Sequence, residues 1–140
     1  LSHIVSLNSR PGEATTDHHK IRDERINNPT LFAKAVDIAR KRYRQDGSVM
    51  ISCAAGISRS ATVAATILSA EENMNFDAAI AEIQKHRKRA DPHPKLKVNG
   101  LYYLLKDINR ENVKPNIKSM LDNMQMNKND ADDIPADIFE

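Results

Sequence analysis

A single cysteine, Cys53, stands in 140 residues, which excludes an internal disulfide and any multi-cysteine metal site. Such usage fits a reducing compartment, where a lone thiol remains available as a nucleophile. No apolar run approaches the ~18 residues of a membrane span, and the opening residues lack the basic and apolar regions of a secretory signal. The expectation is therefore a cytoplasmic protein without membrane contact. Charge of one sign is also missing: 21 basic residues against 19 acidic ones leave a net +2, so nucleic acid is not implied as a partner. His18-His19, His86 and His93 show no ligand spacing, and neither a metal nor another cofactor is expected. At this length one domain is enough, and it buries roughly two-thirds of the surface its unfolded chain exposes. Nothing in the sequence sets an oligomeric state.

What is present reads as alternating strands and helices. Ser2-His3-Ile4-Val5-Ser6-Leu7 is a short strand, and residues 8–20, rich in Ser, Thr, Gly and Pro, form a loop. Asn28-Pro29 starts a helix, a capping side chain followed by the residue that tolerates the first helical position, with Phe32, Val36, Ala39 and Tyr43 on one face and Gly47 as the stop. Val49-Met50-Ile51 is an apolar run too short for a helix, as expected of a central parallel strand. From Ser60 to Ala70 small residues suit a helix packed closely on a sheet, and a further helix runs over 75–89 with Asn75 or Asp77 as cap, ended by Pro92 and Pro94. Leu101 to Leu105, then Ile117, Met120, Leu121 and Met124, give two more helical stripes separated near Pro115. The acidic residues 127–140 are expected to be a flexible tail behind a single domain over 1–126. The order argues for an α/β fold, a mostly parallel central sheet flanked by helices.

The chemistry lies in Ser52-Cys53-Ala54-Ala55-Gly56-Ile57-Ser58-Arg59-Ser60. A strand that ends in Cys-x5-Arg and opens a helix can hold a phosphate dianion against an anionic sulfur. Backbone N–H groups of Ala54, Ala55, Gly56, Ile57, Ser58 and Arg59 can turn inward around the phosphate, and the helix N-terminus adds partial positive charge there. Gly56 supplies backbone freedom, Ala54 and Ala55 keep bulk away, and Arg59 offers a planar fork for two phosphate oxygens. The same field favours thiolate over thiol, so a cysteine with an ordinary pKa of about 8.5 gains nucleophilicity near neutrality.

Cys53-x5-Arg59-Ser60 after a short strand resembles the signature of the protein tyrosine phosphatase superfamily, and the stretch from Ile21 to about Leu105 is similar to its dual-specificity branch, including the Gly56-x-Ser58-Arg59-Ser60 form of the loop. The resemblance implies a protein tyrosine phosphatase-like fold and a metal-independent cysteine phosphatase. Its substrates would be phosphorylated proteins or peptides, carrying phosphotyrosine and also phosphoserine or phosphothreonine, and its intermediate a phosphocysteine. It assigns Asp23 as the acid that protonates the leaving oxygen and then activates water, and Ser60 as the hydrogen-bond donor to the sulfur during hydrolysis. Asp17 and Glu24 share the segment with Asp23. Asn99 resembles the family's Pro-Asn turn residue, with Val98 where proline is common.

Two departures bear on activity. Ser52 stands where the family usually has histidine, so a phosphate-binding module with little turnover is the alternative. The family's first strands and helix have no counterpart upstream of His3, which leaves a minimal domain or one without its N-terminal elements. The basic run Lys85-His86-Arg87-Lys88-Arg89 either steers phosphorylated substrates or simply suits a helix C-terminus, and the same two readings apply to Arg40-Lys41-Arg42 and Arg44.

Overall fold

The computed structural model describes residues 3–8, 10, 12, 15–54, 57–130 and 134–139. Three short strands, β1 (Ile4–Ser6), β2 (Asp17–His18) and β3 (Met50–Ser52), form a parallel sheet in the order β2-β1-β3. Val5 sits opposite Asp17 on one side and Ile51 on the other. β1 is therefore the central strand, and its Val5 is fully buried.

β2 falls inside the stretch expected to be loop. Two polar residues give no alternating apolar signal, so this strand exists through pairing alone: Thr16 N–H donates to Ile4 carbonyl at 3.0 Å and His19 N–H to Ser6 carbonyl at 2.9 Å. It is anchored further by helix α1 (Pro29–Asp46), whose Arg42 donates to both carboxylate oxygens of Asp17 at 3.1 and 3.2 Å.

Helix α1 begins as its residues require. Asn28 Oδ1 accepts the N–H groups of Thr30 and Leu31, Pro29 takes the first position, and Gly47 ends the helix at φ 73°, where a side chain would be strained. The helix carries the chain across the sheet to β3 and buries Phe32, Ala35, Val36 and Ala39.

Helix α2 (Arg59–Glu72) starts one residue before the expected Ser60 and packs against α1, β3, α3 (Phe76–His86) and α4 (Pro94–Lys106). Its buried threonines are satisfied locally: Thr62 Oγ1 donates to Ser58 carbonyl at 2.7 Å and Thr66 Oγ1 to Thr62 carbonyl at 2.8 Å. Arg110 donates to Ser69 Oγ and Met74 carbonyl beyond the C-terminal turn, and burial lowers its pKa from the usual guanidinium value.

Two expected boundaries move. α3 ends at His86, well before Pro92, and Pro94 opens α4 instead of closing α3, behind His93, whose Nδ1 accepts Lys95 N–H. Proline is as suited to a first helical turn as to a stop. Likewise Pro115 lies in the first turn of α5 (Lys114–Asn123), and the break falls earlier, at Asp107 to Arg110.

α4 is nearly all buried, from Leu96 to Leu105, and forms the middle of the helical layer. Its Tyr103 hydroxyl donates to Asp37 at 2.6 Å and accepts from Arg40 at 2.8 Å, while Arg40 and Arg44 both reach Glu71 at 2.9 Å. Burial, with the Asp37 bond, pushes the Tyr103 phenol well above its ordinary value.

The tail also departs from expectation. Ile134 and Ile138 are buried with the core, and the 3-10 turn Ala136–Phe139 contacts α5. Two isoleucines four apart supply the apolar area that the acidic composition hides. Among the described residues no helix is long and apolar enough to cross a membrane.

A Cβ at Gly100 would lie 2.7 Å from Phe76 Cζ and 2.8 Å from Thr66 Oγ1. Phe76 is buried and cannot retreat, so Gly100→Ala should cost about 1–3 kcal/mol of overpacking, outweighing the roughly 1 kcal/mol of helix preference gained. A lower denaturation midpoint at unchanged m would show it, and a rise in stability would contradict the packing described. Asp17 gives a second prediction: the Arg42 hydrogen bond holds its pKa below 3.8. A depressed carboxylate stabilises the fold above its unfolded pKa and loses that contribution as pH falls through the folded value. The stability gap between the parent and Asp17→Asn should therefore be present at pH 7 and close below about pH 4; a gap that widens in acid would contradict it.

Candidate functional site

Parallel pairing positions the cysteine. Ser52 is opposite Ser6, and its carbonyl accepts Leu7 N–H at 2.9 Å, so Cys53 is the first residue past the paired edge. The chain then curls back on itself. At the start of α2, Ser60 N–H donates to Cys53 Sγ at 3.3 Å, and Ser60 Oγ lies 3.3 Å from the same sulfur. The N–H groups of a helix's first turn have no carbonyl partner within the helix; here one of them is spent on sulfur.

Two bonds from the segment between α3 and α4 brace the loop. Asp91 N–H donates to Ile57 carbonyl at 2.7 Å, and His93 N–H donates to Ser58 Oγ at 2.9 Å. Ser58 is thereby fixed by its side chain before α2 begins, although that side chain does not cap the helix. Ala54 is exposed, and Ile57, Ser58, Arg59 and Ser60 are half-buried. Ala55 and Gly56, expected to complete the phosphate-binding backbone, lie outside the described residues.

Arg59 links this loop to the segment carrying Asp23. Its NH1 donates to Ile21 carbonyl at 3.3 Å, and its buried Nε has no acceptor among the described residues. Asp23 is exposed, two residues beyond Ile21, with Oδ1 accepting Glu24 N–H at 2.9 Å. Glu24 has φ 55°, a left-handed conformation costly for a residue with a side chain, and so turns the chain sharply beside Asp23.

Asn27 and Asn99 over-determine that turn. Asn27 Oδ1 accepts Arg22 N–H at 2.8 Å, and its Nδ2 donates to the carbonyls of Arg22 and Arg25. From the interior of α4, Asn99 Oδ1 accepts Asn27 N–H at 2.7 Å and Asn99 Nδ2 donates to Asn27 carbonyl at 2.9 Å. Asn99, expected in a turn, is thus a buried helical residue that holds the Asp23 segment as a neighbouring strand would. No sequence signal marked Asn27, because its Asn-Asn-Pro setting is explained by Asn28 alone.

One rival carboxylate and part of each basic run are engaged elsewhere. Asp17 is tied to Arg42, and Arg40 and Arg44 are tied to Glu71. Lys85 and His86 pair with Glu82 on the solvent side of α3, and the Lys85 hydrogen bond lowers the Glu82 pKa from the ordinary carboxylate value. Among the described residues no group of three His, Cys, Asp or Glu side chains is placed to hold a metal ion. A cleft of about 800 Å³ between the start of α3 and α5 is lined by none of the loop residues. A phosphate held by backbone N–H groups needs a curled loop at the surface more than a deep cavity.

Comparison with known proteins agrees with this geometry. The family described as Dual specificity phosphatase, catalytic domain, matches residues 12–98. No curated protein matches the sequence. Among solved structures, human DUSP28 superposes with a TM-score of 0.65 at 17% identity over 74% of this chain and 76% of its own. The human tyrosine phosphatase-like serine/threonine/tyrosine-interacting protein gives 0.66 at 19% over 77% and 79%, and DUSP15 gives 0.59 at 19% over 76% and 72%. At those identities the likeness is one of fold.

Removing the Asn99 clamp tests the account of the Asp23 turn. Asn99→Ala leaves the N–H and carbonyl of Asn27 buried without partners, a loss of about 1–3 kcal/mol. Amide exchange at Arg22 and Asn27 should quicken more than at the α4 amides around it; uniform quickening would mean that Asn99 stabilises only the core.

Proposed function

Because the chain belongs to the dual-specificity phosphatase family, we propose that it hydrolyses phosphate monoesters in proteins, phosphotyrosine first and phosphoserine or phosphothreonine besides, through a phosphocysteine at Cys53. The observation that carries this reading is the convergence of Ser60 N–H and Ser60 Oγ on Cys53 Sγ, each at 3.3 Å, at the N-terminus of α2. The N–H donates to sulfur, and the hydroxyl, which accepts from the Cys53 thiol, can turn to donate once the thiol has lost its proton; both then favour the anion and ease its departure later.

The roles in this reading are those the family resemblance assigns. Cys53 Sγ attacks phosphorus as the P–O bond to the substrate breaks, and the leaving oxygen takes a proton from Asp23. Water then attacks the phosphocysteine, giving its proton to the Asp23 carboxylate as the P–S bond breaks and inorganic phosphate forms. In this reading the backbone N–H groups of the loop and the Arg59 guanidinium carry the equatorial oxygens; the buried Arg59 Nε supplies a donor for one of them. Contact between Arg59 and Ile21 carbonyl keeps the acid's segment beside the phosphate loop.

The second reading, phosphate recognition with little turnover, is favoured by Ser52 in place of the family's usual histidine. It agrees with the name of one structural neighbour, a phosphatase-like interacting protein. Hydrolysis of para-nitrophenyl phosphate across pH, with EDTA present, separates the two. We expect turnover that Cys53→Ser abolishes and Asp23→Asn slows by about 10²–10⁴-fold, with the alkaline limb of the pH profile missing. No turnover, together with phosphate or vanadate binding that Arg59→Ala removes, would establish the recognition module instead.

A further inference from the structure

A cleft of about 660 Å³ lies between the end of β2, the Asp23 turn and the first turns of α1. Lys20, Arg22, Arg25 and Lys34 line it and are exposed, and no carboxylate lines it. The arginines that pack against the fold elsewhere are engaged: Arg40 and Arg44 with Glu71, Arg42 with Asp17, Arg110 with the residues around the end of α2. Among the described residues, the side chains of these four cations make no ion pair or hydrogen bond. Clustering like charges in one concavity opposes folding and concentrates positive potential where a ligand can enter.

The position of the cleft is as informative as its charge. Ile21, whose carbonyl receives Arg59, lies between Lys20 and Arg22. The cleft therefore starts one residue from the contact between the signature loop and the acid's segment. Leu31, 55% exposed, gives it one apolar wall. We propose that this cleft binds an acidic stretch of the phosphoprotein substrate, a run of carboxylates or a second phosphate flanking the residue held at Cys53. The concave shape and the small apolar lining of Ile26 and Leu31 suit a peptide side chain and backbone better than a flat lipid surface. The inference rests on the proposed function only for the substrate's being a phosphoprotein.

Three phosphotyrosine peptides test it: one with neutral flanks, one with glutamate flanks and one with a neighbouring phosphothreonine. Binding is read by fluorescence anisotropy on Cys53→Ser protein, alongside para-nitrophenyl phosphate turnover by the parent. Both anionic peptides should bind about 10-fold tighter than the neutral one at low salt, with the gap shrinking at high salt. The gap should vanish in Arg25→Glu/Lys34→Glu and narrow in the milder Arg25→Gln/Lys34→Gln. A gap for only one of the anionic peptides would identify the source as carboxylate or phosphate and still support the cleft. Equal affinities for all three peptides, or a gap that survives both double variants, would overturn it. So would binding to phosphatidylserine vesicles that both double variants lose, in the absence of any peptide preference. A peptide preference without turnover would refute the enzyme and leave the cleft standing, and turnover without preference would do the reverse.

Discussion

The structure depends on one unusual hydrogen bond, from a first-turn amide of α2 to the sulfur of Cys53. To make it, the chain must leave a strand, reverse through a short loop and enter a helix whose N-terminal amides face back toward the strand end. The two ends of such a reversal have to be held from outside. Parallel pairing of β3 with β1 fixes its beginning, α2 fixes its end, and the amides of Asp91 and His93 hold Ile57 and Ser58 between them.

α2 can serve as that fixed end because it is enclosed. α1, α3, α4 and β3 pack around it, and close approach requires small side chains on its faces: Ala61, Ala65, Ser69 and the two threonines whose hydroxyls fold back onto the helix. The same closeness explains Gly100 on α4, where even a methyl group would meet Phe76 and Thr66. Packing density around α2 and anion chemistry at its N-terminus are therefore linked, since a helix free to shift would carry its amides away from the sulfur.

What was legible in the sequence is what local chemistry decides. Cys53 at a strand end and Arg59-Ser60 at a helix start are marked by a contiguous stretch of sequence, and Asn28-Pro29 and Gly47 mark helix ends by capping rules that act within a few residues. Distant pairing left no such mark. Asp17-His18 is a strand only because β1 and Arg42 hold it, and Asn99 meets Asn27 across 72 residues of chain. Pro94 and Pro115 were ambiguous for another reason, because a proline bars helix continuation on one side and suits a helix start on the other. Ile134 and Ile138 were masked by their acidic neighbours, although a few buried side chains suffice to dock a short segment.

The two halves of the site share one anchor and otherwise rest on different residues, and that bears on how binding and turnover relate. The phosphate loop is held by the pairing of β3 with β1, by α2 and by the 91–93 segment; Leu7, which donates to Ser52 carbonyl where the loop begins, also accepts Ile21 N–H from the Asp23 segment. Beyond that anchor the turn, strained at Glu24, is held by Asn27 and Asn99, and among the described residues Arg59 reaches it with a hydrogen bond to Ile21 carbonyl. Loosening the turn would displace Asp23 and leave the backbone N–H groups of the loop where they are. Disturbing α2 or the 91–93 brace would remove both. In the proposed mechanism, phosphate recognition therefore rests on the larger set of supports, and proton transfer depends besides on a clamp of two asparagines.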